Sequence, residues 1–66
     1  MDFGTAIKYT PPTMLAEFGE RLETYVADKK PDTQKPLEET LMVMMQKLPE
    51  CVYTPYVHLY KLIQHQ

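Results

Sequence analysis

Three side chains that can bind metals or act as nucleophiles, Cys51, His58 and His65, recur at intervals of seven residues. Cysteine and histidine are common zinc ligands, and a cysteine paired with a histidine can form covalent intermediates. On one helix, steps of seven residues separate side chains by about 10 Å, whereas the ligands of one zinc ion lie within about 2.3 Å of it. The spacing therefore predicts no metal site and no cofactor. It favours two histidines on a solvated helix face and Cys51 as a small buried side chain.

Carboxylates are the second group that could do chemistry. Four of them share one face of a predicted helix: Glu17, Glu20, Glu23 and Asp28. A general acid and base pair needs one carboxyl in a desolvated site that raises its pKa, and these four fall on the polar side. The chain has no serine, and no third group is placed to orient a cysteine and histidine pair. We therefore predict no catalytic residues and no enzyme activity.

Two apolar neighbours, Met42 and Val43, are the strongest functional feature of the sequence. They fall on the polar side of a predicted helix, where Glu39 and Gln46 flank them. Single exposed apolar residues are normal on protein surfaces, but two adjacent ones form a patch that association could bury. We therefore predict that Met42, Val43, Glu39 and Gln46 bind a protein partner or a second copy of the chain.

Apolar periodicity predicts three amphipathic helices that would position these residues. The helix over 11–28 places six apolar side chains within an arc of about 120°: Met14, Leu15, Phe18, Leu22, Tyr25 and Val26. The helix over 36–48 carries a core stripe of Leu37, Leu41, Met44, Met45 and Leu48. The helix over 55–65 carries Tyr56, Leu59, Tyr60, Leu62 and Ile63. Gly19 lies beside the first arc, where it either lets another backbone approach or is simply tolerated.

Prolines mark the predicted helix boundaries. The first helix ends before Pro31, because the residue before a proline is pushed out of the helical region, and 32–36 forms a polar connection. Pro49 ends the second helix. Thr54 is the predicted N-cap of the third helix and Pro55 its first residue, where a missing N–H has no helical partner to lose.

The N-terminal residues follow a different pattern. Four side chains alternate as in a short strand: Phe3, Thr5, Ile7 and Tyr9. We predict an extended arm over 1–10 that lies across the helices, with pairing to the β-leaning segment 51–53 as the alternative. The whole chain is therefore predicted to be a single all-α domain over 1–66, a small three-helix bundle with an extended N-terminal arm.

The composition limits the size and the partners of the protein. Its 66 residues leave room for one domain with one core, and 44% of them are hydrophobic. A net charge of -2 is too acidic for electrostatically driven phosphate binding. A single cysteine cannot form an internal disulfide, which fits a reducing compartment. No apolar run approaches the roughly 20 residues of a membrane span, and the N-terminus lacks the basic region of a signal peptide. We expect a cytoplasmic protein that makes no membrane contact.

We expect this protein to be a small interaction or regulatory module that uses its second helix. The alternative is a DNA-binding regulator that reads bases from the helix over 55–65, with Tyr56, His58, Lys61 and Gln64. That helix carries one lysine and no arginine. The connection over 49–54 is also longer than the three- or four-residue turn of DNA-binding helix-turn-helix motifs. Nucleic acid is therefore the less favoured partner.

Overall fold

The computed structural model describes all 66 residues and contains four helices and no strand. These are α1 (Phe3–Lys8), α2 (Pro12–Asp28), α3 (Pro31–Lys47) and α4 (Glu50–Gln64). Helix α2 packs along α3, and α4 packs against both α1 and α3. The all-α prediction is confirmed, whereas the three-helix bundle with an extended arm is replaced by four helices.

Helix α1 forms where the extended arm over 1–10 was predicted, so that prediction was wrong. Asp2 caps the helix by accepting a hydrogen bond from the Thr5 N–H at 2.7 Å. This bond stabilises the carboxylate and lowers the pKa of Asp2. Phe3, Ala6 and Thr10 stand three and four residues apart, which is helical spacing. The same segment also shows the two-residue alternation of a strand. The helix forms instead because it buries Ala6 and Thr10.

A two-residue link joins α2 to α3, and the predicted connection over 32–36 is helical instead. Lys29 adopts the left-handed conformation, with φ 49° and ψ 45°, and its N–H donates to the Tyr25 carbonyl at 2.6 Å. Lys30 returns the chain to an extended conformation. Pro31 then serves as the first helical residue, the position where proline is favoured.

Two prolines lie inside helices rather than at their starts. Pro36 and Pro55 each occupy the sixth position, in α3 and α4 respectively. A proline there removes a single backbone hydrogen bond near the N-terminal end, and packing of the whole helix offsets that loss. Thr54 is consequently no N-cap: its hydroxyl donates to the Glu50 carbonyl one turn earlier, at 2.6 Å.

The core is centred on Tyr56, which has no exposed surface. Its ring lies 5.0 Å from the ring of Phe3 on α1 and 5.0 Å from that of Phe18 on α2. The Thr10 hydroxyl donates its only proton to the Ala6 carbonyl at 2.8 Å. The 2.7 Å contact between the Thr10 and Tyr56 hydroxyls must therefore be donated by Tyr56. One side chain of α4 thus holds α1, α2 and the link between them.

The predicted core stripes are correct in their centres and wrong at their edges. Ten apolar residues are buried: Ala6, Phe18, Tyr25, Leu37, Leu41, Met44, Val52, Tyr56, Tyr60 and Ile63. Val26, Met45 and Leu62 were predicted in the stripes but are exposed. Leu22 and Leu59 are only partly buried, packed against the edge of the core. No atom would approach a side chain at Gly19 within 4 Å, so the structure shows no close backbone there.

Candidate protein-interaction surface

The four residues of the predicted binding site are all exposed, but α3 divides them between two sides. Met42 is 60% exposed and Val43 is 41% exposed. Successive residues on a helix point about 100° apart. Met42 accordingly lines a groove shared with α4, whereas Val43 and Glu39 line a groove shared with α2. Gln46 lines neither groove. The sequence pattern therefore located the exposed residues without showing that they face different neighbours.

The groove between α3 and α4 has a volume of about 420 Å³. Its lining is mostly apolar: Leu41, Met42 and Met45 come from α3, and Val57 comes from α4. Leu41 is buried and Val57 half-buried, so they form the floor, while Met42 and Met45 stand exposed at the rim. We call these four residues together the methionine groove.

A hydrogen-bonded cluster around Tyr60 adjoins the methionine groove, and Tyr60, Glu38 and Gln64 line the same cavity. The Tyr60 hydroxyl donates to a Glu38 carboxylate oxygen at 2.7 Å. It accepts from the side-chain amides of Gln34 at 2.9 Å and of Gln64 at 3.1 Å. Burial, followed by the Glu38 carboxylate, raises the pKa of Tyr60, because both disfavour the phenolate. The cluster places a negative charge at a defined position beside an apolar surface.

The groove between α2 and α3 is smaller and more polar. It has a volume of about 290 Å³, and Met14 and Val43 are its only hydrophobic lining residues. Its wall on α2 carries the single ion pair of the protein, Arg21 with Glu17 at 3.1 Å. The two residues stand four apart on the helix, in the order that favours pairing. This side of α3 offers less apolar surface for a partner than the methionine groove does.

Met45 is the residue that the sequence analysis missed. It was assigned to the core, yet it is 46% exposed beside Met42. On the helical wheel Met45 lies at the edge of the core stripe, about 80° from Leu37, so the wheel alone cannot decide whether it is covered. The direction in which α4 crosses α3 decides this, and nothing local in the sequence encodes that direction.

The side chains first considered for chemistry do not converge. Cys51 is a free, exposed thiol, so its predicted burial was wrong; its neighbour Val52 occupies the core position instead. His58 and His65 are exposed, as expected for a solvated face. No three histidine, cysteine, aspartate or glutamate side chains lie close enough together to hold one metal ion. Among the predicted base-reading residues, Tyr56 is fully buried and could not contact a base.

Comparison of the chain with models of protein families, with curated proteins and with solved structures finds no match in any of the three. None of the four helices has the length and apolar character needed to cross a membrane.

Proposed function

We propose that this protein is a small interaction module that binds a protein partner, or a second copy of itself, through the outward side of α3. The observation that carries the proposal is the exposure of Met42 and Met45 side by side above an apolar floor. Burying the exposed half of each side chain stabilises a complex by roughly 0.8 to 1.5 kcal/mol before the cost of association. A free, exposed Cys51 fits the reducing cytoplasm as its location.

The chemistry of the methionine groove suits a protein surface as its ligand. Methionine is flexible and polarizable, so a pair of methionines adapts to the shape of an apolar partner side chain. Protein interfaces combine an apolar centre with a polar rim. Glu38, held by Tyr60, supplies a hydrogen-bond acceptor at that rim and would orient a partner that brings a donor.

The test compares substitutions in the methionine groove with one outside it. The double change Met42→Glu with Met45→Lys should abolish partner binding and leave the melting temperature nearly unchanged, because both side chains are exposed. Val26 on α2 is as exposed as Met45 but lines no groove, so Val26→Glu is the matched control. Binding is measured by quantitative co-purification from native lysate, with light scattering for self-association.

A further variant and two other results distinguish this proposal from its alternatives. The single change Val43→Lys separates the two sides of α3, because Val43 lies outside the methionine groove, and it should keep the partner. If the methionine variant keeps its partner and stays folded, the proposal is wrong. Retention of the protein on a polyanion column that falls steeply with salt would indicate a nucleic-acid ligand instead.

A further inference from the structure

A second and larger groove runs between α1 and α4, on the other side of α4 from the methionine groove. Its volume is about 850 Å³, and it is lined by Met1 to Phe3 and by one face of α4. Two of its apolar residues are largely exposed: Met1 at 52% and Leu62 at 65%. The groove is therefore an apolar surface that the folded chain leaves uncovered.

The α4 face of this groove is a straight stripe. Cys51, Pro55, His58 and Leu62 follow one another at steps of four, three and four residues, and all four line the groove. At about 100° per residue they fall within an arc of about 60°. At 1.5 Å per residue the stripe is about 17 Å long. Another helix could lie along it over three turns.

The charges of the groove differ between its two ends. Asp2 and Glu50 both lie at the N-terminal end of α4, where the α-ammonium of Met1 offsets one of their two negative charges, whereas His58 lies at the middle of α4 and His65 at its C-terminal end, outside the groove lining. None of these four groups has an ion-pair partner within the chain, because the only ion pair is on α2. A histidine donates a hydrogen bond to a carboxylate when neutral and forms an ion pair with it when protonated.

We infer that a second copy of this chain occupies the groove, with its α4 antiparallel to the first. Glu50 of each copy then meets His65 of the other, and Leu62 meets Cys51. The two-fold axis passes close to His58. Such an interface is self-complementary, as a two-fold dimer requires. A parallel arrangement would place the two Glu50 carboxylates against each other, where like charges repel.

Cysteine cross-linking tests the antiparallel geometry. In the antiparallel dimer the two Cys51 side chains are about 18 Å apart along the helices, so the native chain should form no covalent dimer under mild oxidation. The variant Cys51→Ala with His58→Cys places one cysteine near the axis and should form a disulfide-linked dimer. The control Cys51→Ala with Val26→Cys places it on α2, outside the groove, and should not.

Light scattering over a concentration series tests the surface independently. Leu62→Glu should weaken dimerisation by at least about 30-fold, since both copies lose an apolar anchor. It should not lower the melting temperature of the monomer, because Leu62 is exposed. Val26→Glu should leave the dimer unchanged.

Three results would overturn the inference. Rapid cross-linking of the native chain through Cys51 would show a parallel arrangement, and equal cross-linking of the Val26→Cys control would show random collision. Loss of the dimer in the Met42→Glu and Met45→Lys variant, with Leu62→Glu unaffected, would move the second copy to the methionine groove. That last result would support the proposed function while contradicting this inference, so the two can fail separately.

Discussion

At the scale of single residues, the buried hydroxyl of Tyr56 fixes how the N-terminal part of the chain meets α4. Its proton goes to Thr10, and the proton of Thr10 goes to the Ala6 carbonyl. Every polar side-chain atom that is buried in the protein has a hydrogen-bond partner. Removal of the Thr10 hydroxyl would leave the buried Tyr56 O–H without an acceptor, whereas removal of the Tyr56 hydroxyl leaves Thr10 bonded to the Ala6 carbonyl and forfeits one buried hydrogen bond.

Tyr56→Phe should therefore lower the free energy of unfolding by about 0.5 to 1.5 kcal/mol, the net value of one hydrogen bond. Tyr53→Phe is the matched control, because the half-buried Tyr53 hydroxyl makes no hydrogen bond within the protein. Urea denaturation of both variants measures the difference. A double-mutant cycle with Thr10→Val should show coupling between the two sites. Additive effects would mean that the two hydroxyls do not interact.

Because the pKa of Tyr60 is raised in the folded state, the stability of the protein should fall at alkaline pH. The folded state holds the phenol proton more tightly than the unfolded chain, where the pKa is about 10.0. The contribution is complete below pH 10 and is lost as the pH rises through the folded-state pKa. Absorbance titration at alkaline pH should show a late-ionising component that Tyr60→Phe removes. If the late-ionising component persists in Tyr60→Phe, the cluster with Glu38 is not formed in solution.

At the scale of elements, the two prolines at sixth helical positions explain why the helix starts were misplaced. A proline at position one and a proline at position six are both preceded by polar residues and followed by an apolar stripe. The sequence pattern around Pro36 and Pro55 therefore resembles a helix start. The upstream signals were Pro31 itself and Thr33, whose hydroxyl accepts a hydrogen bond from the Lys30 N–H at 3.3 Å.

Replacing Pro31 and Pro36 in turn should show at which of the two prolines α3 begins. Pro36→Ala restores a backbone hydrogen bond inside the helix and should stabilise the protein by about 1 to 2 kcal/mol, after allowance for the more flexible unfolded chain. Pro31→Ala, at the first position, should destabilise it by up to about 1 kcal/mol. Thermal denaturation measures both. Destabilisation by Pro36→Ala would indicate that α3 begins at residue 36 after all.

The predictable part of this protein is the part encoded by local periodicity. Helix α2 is recovered to within one residue at its start, since its apolar arc is long and has no internal proline. Met42 and Val43 are correctly predicted to be exposed. The methionine groove could not be predicted, because it exists only where α4 crosses α3. The same holds for the placement of Leu62 outside the core, which depends on where α1 docks.

At the scale of the whole molecule, α1 belongs to the same cooperative unit as the longer helices. Isolated helices of six residues are not stable in water, so α1 exists because Phe3 packs on Tyr56 and Ala6 is buried in the core. The same side chain contacts Phe18, so loss of α1 exposes part of the central core. A small single domain with shared contacts of this kind is expected to unfold in one step.

A tryptophan at position 3 should report this cooperativity. In the Phe3→Trp variant, fluorescence follows the docking of α1 while far-ultraviolet circular dichroism follows all helices. The two urea transitions should have the same midpoint. An earlier fluorescence transition would show that α1 detaches while α2, α3 and α4 remain folded.

The left-handed conformation of Lys29 also bears on how the chain avoids exchanging helices with its copies. A non-glycine residue in that region is strained by roughly 1 to 2 kcal/mol. The strain would be relieved if Lys29 and Lys30 turned helical and fused α2 with α3 into one long rod, whose ends could then complete the folds of two neighbouring molecules. Pro31 opposes this, because it disfavours a helical Lys30 and would interrupt the rod. We therefore expect the proline at this link to keep each chain folded upon itself, and its removal should let interlocked dimers accumulate at high protein concentration.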